Sequence, residues 1–357
     1  MKRAVLFLFG LAVIAALGFL AWRFADERSF ASTPYGEGSR IVMVPPGTGP
    51  RALARLLADA RVVSDANRFF THLHWFRRDA KTKAGEYQFD GALLPDEVLG
   101  KMVRGDVKTY RFTVVEGLRA DEMAPIVAAT GLCQAPDFLK IVRDAASPQK
   151  FGVPGPSLEG YLFPDTYALP RGNGCLSIVQ TMVARFRKAW QRADSQRLDS
   201  VDLEERQAVT LASIIEKETG RPEERPRISC VFHNRLKKGM RLQTDPTVVY
   251  ALLLSHDFRW DHNIHKGDLS LQHPYNTYVI KGLPPGPIAS PGQAALDAAL
   301  HPSSCDDLFF VSRNDHTHVF CPDLKCHEQN VRKFQVDYFQ RKRSPRRGRH
   351  HQATAAR

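Results

Sequence analysis

No segment after Trp22 is long and apolar enough to cross a bilayer, no acidic residue follows Asp337, and only six cysteines are spread over 357 residues. Six cysteines are too few for a disulfide scaffold and too scattered for a zinc ribbon. The missing acids explain the charge. The chain is basic, net +12, but the cations from Arg341 to Arg357 carry seven of those charges. The body is therefore much nearer balance, which argues against a nucleic-acid-binding face. Hydrophobic residues at 43% and charged residues at 25% exclude a wholly disordered or fibrous chain. The length allows two domains and an anchor.

What is present begins at the N-terminus. Lys2 and Arg3 precede an uncharged run, Ala4–Trp22. At ~1.5 Å per residue it spans roughly 28 Å, one hydrocarbon thickness. A cleavable signal peptide is the rival reading, but its apolar core is usually shorter, and no small-x-small cleavage region follows Trp22. The expected order is a cytoplasmic stub at 1–3, an anchor at 4–22 and a linker at 23–39. The basic residues favour a cytoplasmic N-terminus, with the body on the far side where cysteines oxidise.

Beyond the linker the periodicity predicts a strand over 40–44, helices over 51–60 and 65–75, and a strand over 84–89. This is a small α+β unit, followed by a helix at 94–103 and a strand at 109–115. Helices are expected at 122–130, 176–192, 204–219 and 222–238. From there to about 300 the chain is rich in Pro, Gly, Asn and His, a loop composition. A hairpin (307–313, 318–321) and a closing helix (327–339) complete an α+β protein, with a basic, disordered tail expected over 340–357.

The strongest chemical signal is Leu211-Ala212-Ser213-Ile214-Ile215-Glu216-Lys217-Glu218-Thr219. On a helix Ala208, Leu211, Ile214 and Ile215 share one face, and Glu218 projects from the end of that stripe. Glu216 is expected on the solvated flank with Lys217. An inward carboxyl at a helix C-terminus is desolvated and faces the negative end of the dipole, so its pKa rises as a general acid requires. The alternative is a buried Glu paired with Arg235 or Arg241.

Three further segments mix aromatics with polar groups: Glu159–Tyr167, Arg241–Thr247, and Tyr275–Tyr278 leading to Pro284–Ile288. Aromatic faces stack on sugar rings and Asn, Gln, Thr and Asp bond hydroxyls, which suits a glycan cleft. Any one alone reads equally as a proline-stiffened loop.

In these segments, with Phe232–Leu236, Gly239–Thr247, Gly282–Gly286 and His301-Pro302, the chain resembles the YceG-like (MltG-type) endolytic murein transglycosylases, from the anchor to about residue 335. The resemblance implies a single-pass inner-membrane protein with a LysM-like domain at 40–115 and a catalytic domain at 116–339. It implies internal cleavage of peptidoglycan glycan strands beside the cell-wall synthases, and it places the catalytic acid on Glu218. No cofactor, metal or nucleic acid is implied. Gln243, Thr244, Asp245, Asn276, Tyr278, Glu159 and Tyr161 are the candidate sugar-binding residues, with Glu159 and Asp165 equally open to structural roles. Two other classes stay in view: a non-catalytic wall-binding scaffold, and a hydrolase with Asp245 or Glu159 as second acid.

Cys321 and Cys326 depart from the family pattern. A disulfide is favoured there over free thiols or a zinc site with His316, His318 and His327, because Cys-x4-Cys-His fits structural zinc poorly. Cys133–Cys175 is a possible second bridge. His256, His262, His265 and His273 lack helical i, i+4 placement, so no metal is expected there.

Overall fold

The computed structural model describes residues 2–172, 174–258, 263–338 and 340. His262 and the basic tail beyond residue 340 lie outside the described residues, so the expectations for them stand where the sequence left them. The chain forms two compact units, Met1–Arg111 with Ala168–Asn173, and Phe112–Tyr167 with Gly174–Arg357.

In the first unit α1 (Lys2–Ala31) is a 30-residue helix whose apolar part is exposed. It continues well past Trp22, through the first part of the stretch expected as linker. The cause is packing at its C-terminal end, where Phe30 is buried, Asp26 meets Arg68 at 3.0 Å and Glu27 pairs with His72. Next, β1 (Ser39–Val44) and β2 (Gly85–Asp90) pair antiparallel, Val42 opposite Tyr87. Between them lie α2 (Pro50–Asp59) and α3 (Ala66–Thr71), the latter capped by Asp65 and prolonged by a widened turn, His72–Phe76. With α4 (Pro95–Arg104) they bury Leu57, Phe69, Tyr87, Phe89, Val98 and Met102. Alternation on the strands and the 3–4 spacing on the helices direct these side chains to one core. This is the α+β unit that the periodicity predicts.

A short sheet pairs β3 (Thr109–Thr113) with β4 (Thr166–Pro170). The second unit is mainly helical: α5 (Ala120–Ala128), α6 (Ala135–Arg143), α7 (Ser147–Phe151), α8 (Gly174–Asp194), α9 (Glu205–Glu218) and α10 (Arg225–Lys237). Then come α11 (Asp245–Ser255) and α12 (Gln293–Leu300), the hairpin β5 (Phe309–Ser312) and β6 (His318–Cys321), and α13 (Leu324–Val331). Helix α9 is the centre, in contact with α10, α11 and α12, and everything from Ala208 to Ile215 is buried. A helix apolar on all sides has no stable place except inside a core.

The 239–300 region holds two helices that its composition does not announce. α11 starts on Asp245-Pro246, and six of its eleven residues are buried. Apolar residues surround it, so no amphipathic period marks it in the sequence. All six cysteines are paired, as Cys133–Cys175, Cys230–Cys305 and Cys321–Cys326. The Cys321 and Cys326 sulfurs are therefore committed to each other, and His318 is bonded to Glu224 at 2.7 Å.

Candidate active site

Glu218 is the last residue of α9, whose chain leaves the helix at an extended Thr219. The side chain retains partial accessibility but is packed in by protein, and burial pushes its carboxyl up to about 7. Asp245 acts in the same direction as a neighbouring negative charge, while Thr244 and the Arg235 cation oppose it. Among the described residues the Thr244 hydroxyl meets no partner within hydrogen-bonding geometry.

Of the two arginines considered as partners, Arg235 lies near enough to be felt but spends its donors on main-chain oxygens. It reaches Leu308 O at 2.6 Å and Leu242 O at 2.6 Å. No salt bridge to Glu218 exists among the described residues. The carboxyl is thus near a cation without being neutralised by it, which leaves its proton exchangeable near neutrality.

The turn facing Glu218 is built by hydroxyls. Thr244 N donates to Thr277 Oγ1 at 3.0 Å, the Thr247 and Thr277 hydroxyls meet at 2.8 Å, and Gln243 N donates to Thr277 O at 3.2 Å. These bonds join the residues before α11 to the Asn276–Tyr278 turn. Gln243 is exposed and has a positive φ of 50°, a left-handed conformation held by that stitching. Tyr278 donates its hydroxyl to Asp245 Oδ1 at 2.7 Å. Asp245 then lines a cleft of 390 Å³ with Arg119, Lys217, Tyr250 and Ile288. The structure thereby gathers Glu218, Gln243, Thr244, Asp245 and Tyr278 into one neighbourhood.

The remaining candidates sit differently. Asn276 is fully buried, donating to Leu269 O and Leu271 O and accepting from Tyr278 N, so its polar atoms hold a loop. Tyr161 is also buried, donating to Pro154 O and lying edge-on to Phe186. Glu159 accepts from Ala120 N at 3.1 Å at the start of α5, and burial raises its carboxyl to about 7. Asp165 is ion-paired with Arg185 at 2.6 Å. The Glu159–Tyr161 turn still supports the cleft wall, because Gly160 (φ 83°) presses on Pro287, where a Cβ would come within 2.3 Å.

Glu216 requires a correction. Expected in solvent, its carboxylate is almost fully covered. It binds Arg225 at 2.7 Å and accepts from Gly292 N at 3.0 Å. The 288–292 loop folds back over this flank of α9, with Ile288 N donating to Ser213 Oγ, and covers what the helical wheel leaves open. The same flank carries Lys217, which donates to Gly117 O at 3.1 Å. Arg225 and Arg119 carry no signal in the sequence, because a lone arginine has no spacing pattern.

A profile of the YceG-like family matches residues 42–333. An endolytic murein transglycosylase of Bacillus subtilis is 28% identical over 308 residues, covering 82% of this chain and 84% of that protein. Another from Streptococcus pneumoniae is 26% identical over 359 residues, covering 91% of this chain but only 64% of that longer protein. The crystal structure of a yceG-like protein from Listeria monocytogenes aligns with TM-score 0.52 at 30% identity, over 82% of this chain and 98% of that one.

Proposed function

This chain belongs to the YceG-like family, and on that premise we propose that it is a peptidoglycan lytic transglycosylase with Glu218 as its single acid–base group. The observation that carries the reading is a carboxyl held at about 7 by burial, at the end of a core helix beside a largely apolar cleft whose charged members are Arg119, Lys217 and Asp245. Protonated Glu218 gives its proton to the oxygen bridging N-acetylmuramic acid and N-acetylglucosamine, and the C1–O bond breaks. The resulting carboxylate takes the proton of the muramyl C6 hydroxyl as that oxygen bonds to C1, leaving a 1,6-anhydro end and Glu218 protonated again. The sugar supplies its own nucleophile, so neither a second carboxylate nor water is required. Asp245 raises the Glu218 pKa by its charge, and Tyr278 holds Asp245 in place. Gln243, exposed beside them, is placed to bond a sugar hydroxyl.

The anchor reading rests on α1, whose apolar stretch Leu6–Ala31 is long enough to cross a bilayer. Three disulfides fit a body in the periplasm. The first unit, a βααβ arrangement plus α4, is proposed as a LysM-like glycan-binding domain, and cell-wall synthases as its neighbours. Digestion of purified cell wall by the full chain and by Glu218→Gln tests the activity. Anhydro-ended fragments from the wild type alone are expected. Fragments heavier by one water would mean hydrolysis, and binding without new ends would mean a scaffold.

A further inference from the structure

The end of α1 is gripped by the first unit through Arg68–Asp26 and His72–Glu27, and His72 is held from its other ring nitrogen by Asp96 at 2.9 Å. Immediately beyond this grip, in the same widened turn, the chain exposes aromatic surface. Trp75 is 66% exposed and Phe76 41%. Trp75 stands edge-on to His74, which stacks on Phe70. Beside them is a recess of 140 Å³ bounded by Thr48, Leu73, His74, Arg77, Arg78 and Thr82. From residue 77 to 83 the sequence carries four cations and a single acid, Asp79. Arg77 is committed to Asp96 at 2.6 Å, whereas Arg78 is exposed and makes no ion pair among the described residues.

An exposed indole and phenyl beside surplus cations match the chemistry of a bilayer's interfacial layer. There amphipathic rings seat at headgroup level, and lysine or arginine near an anionic surface gains about 1 kcal/mol each. Arginine is suited to phosphate through its forked donors. We propose that this face lies on the membrane surface, Trp75 and Phe76 among the headgroups and the phosphate of an anionic phospholipid in the recess against Arg78. The inference rests on α1 being the membrane anchor, since the Glu27–His72 grip is what brings the face to the bilayer. The consequence is orientational. Such a contact turns a flexible tether into a two-point attachment, limiting how the first unit rotates about α1.

The full chain is reconstituted into vesicles of phosphatidylcholine or of equimolar phosphatidylcholine and phosphatidylglycerol, with lipids brominated near the headgroup. Subtracting the fluorescence of Trp75→Phe from that of the wild type isolates Trp75. Its emission should be blue-shifted, quenched by the brominated lipid and shielded from aqueous iodide, most strongly with phosphatidylglycerol. Arg78→Gln should lower the ratio of seated to unseated Trp75 in anionic vesicles about five-fold, the equivalent of one arginine–surface contact. Vesicle flotation reports the anchor separately. Chains that float while Trp75 stays open to iodide and unquenched overturn the contact and leave the anchor standing. Chains that do not float remove both. Shielding that appears only on adding glycan fragments also overturns the proposal, in favour of a sugar contact.

Discussion

Replacing Glu218 with glutamine should stabilise the protein in alkaline solution while removing its chemistry. The folded carboxyl titrates at about 7 against 4.5 for the ordinary group. As pH rises from 4.5 towards 7, the unfolded chain ionises while the folded one keeps its proton, so wild-type stability falls over that window and stays reduced above it. At about 1.4 kcal/mol per pH unit the gap amounts to roughly 3 kcal/mol. The side chain retains some accessibility, and solvent screening brings the expectation to about 1–2 kcal/mol. Glutamine preserves shape and cannot ionise. Thermal unfolding of both proteins, disulfides intact, should give matching midpoints at pH 4.5 and a variant midpoint higher by about 3–6 °C at pH 8. A difference independent of pH, or a wild type more stable at pH 8, would refute the claim that burial keeps this group protonated.

The same carboxyl should govern kcat/KM, which ought to fall ten-fold per pH unit above about 7 as the acid form is lost. Asp245→Asn should move that limb to lower pH, because the Asp245 charge raises the Glu218 carboxyl. Glu216→Gln removes the charge that pairs with Arg225 and weakens the acceptor that holds Gly292 N to α9. A loosened cleft wall should raise KM several-fold and leave the pH limb where it was, and a displaced limb would assign Glu216 to the chemistry instead. Reduction of the disulfides should destabilise the second unit, Cys133–Cys175 alone closing a 42-residue separation worth about 4 kcal/mol by loop entropy. Equal denaturant midpoints with and without reductant would contradict that estimate.

Element types were largely legible where one face of an element is buried and the other is wet. β1, β2, α2 and α4 announce themselves through periods of two and 3.6. Ala208, Leu211, Ile214 and Ile215 mark one apolar stripe of α9, and with it the direction of Glu218, although the fold buries the other sides of that stretch as well. α11 shows the limit of that reasoning: buried on most sides, it has no contrast between faces and looks like loop. α1 shows another, since nothing local to residues 23–31 says that Phe30 and Glu27 will find a core to extend the helix.

The sequence by itself determined the candidate acid, the order of the elements and the long apolar N-terminal run, because each depends on neighbours within a few residues. Tertiary structure alone decided what surrounds that acid. Glu216 was covered by a loop some 76 positions away, Arg235 was spent on backbone oxygens, and Asn276 and Tyr161 were drawn into packing. A pKa is set by whatever surrounds the charge, and those surroundings come from distant segments whose meeting no local pattern encodes.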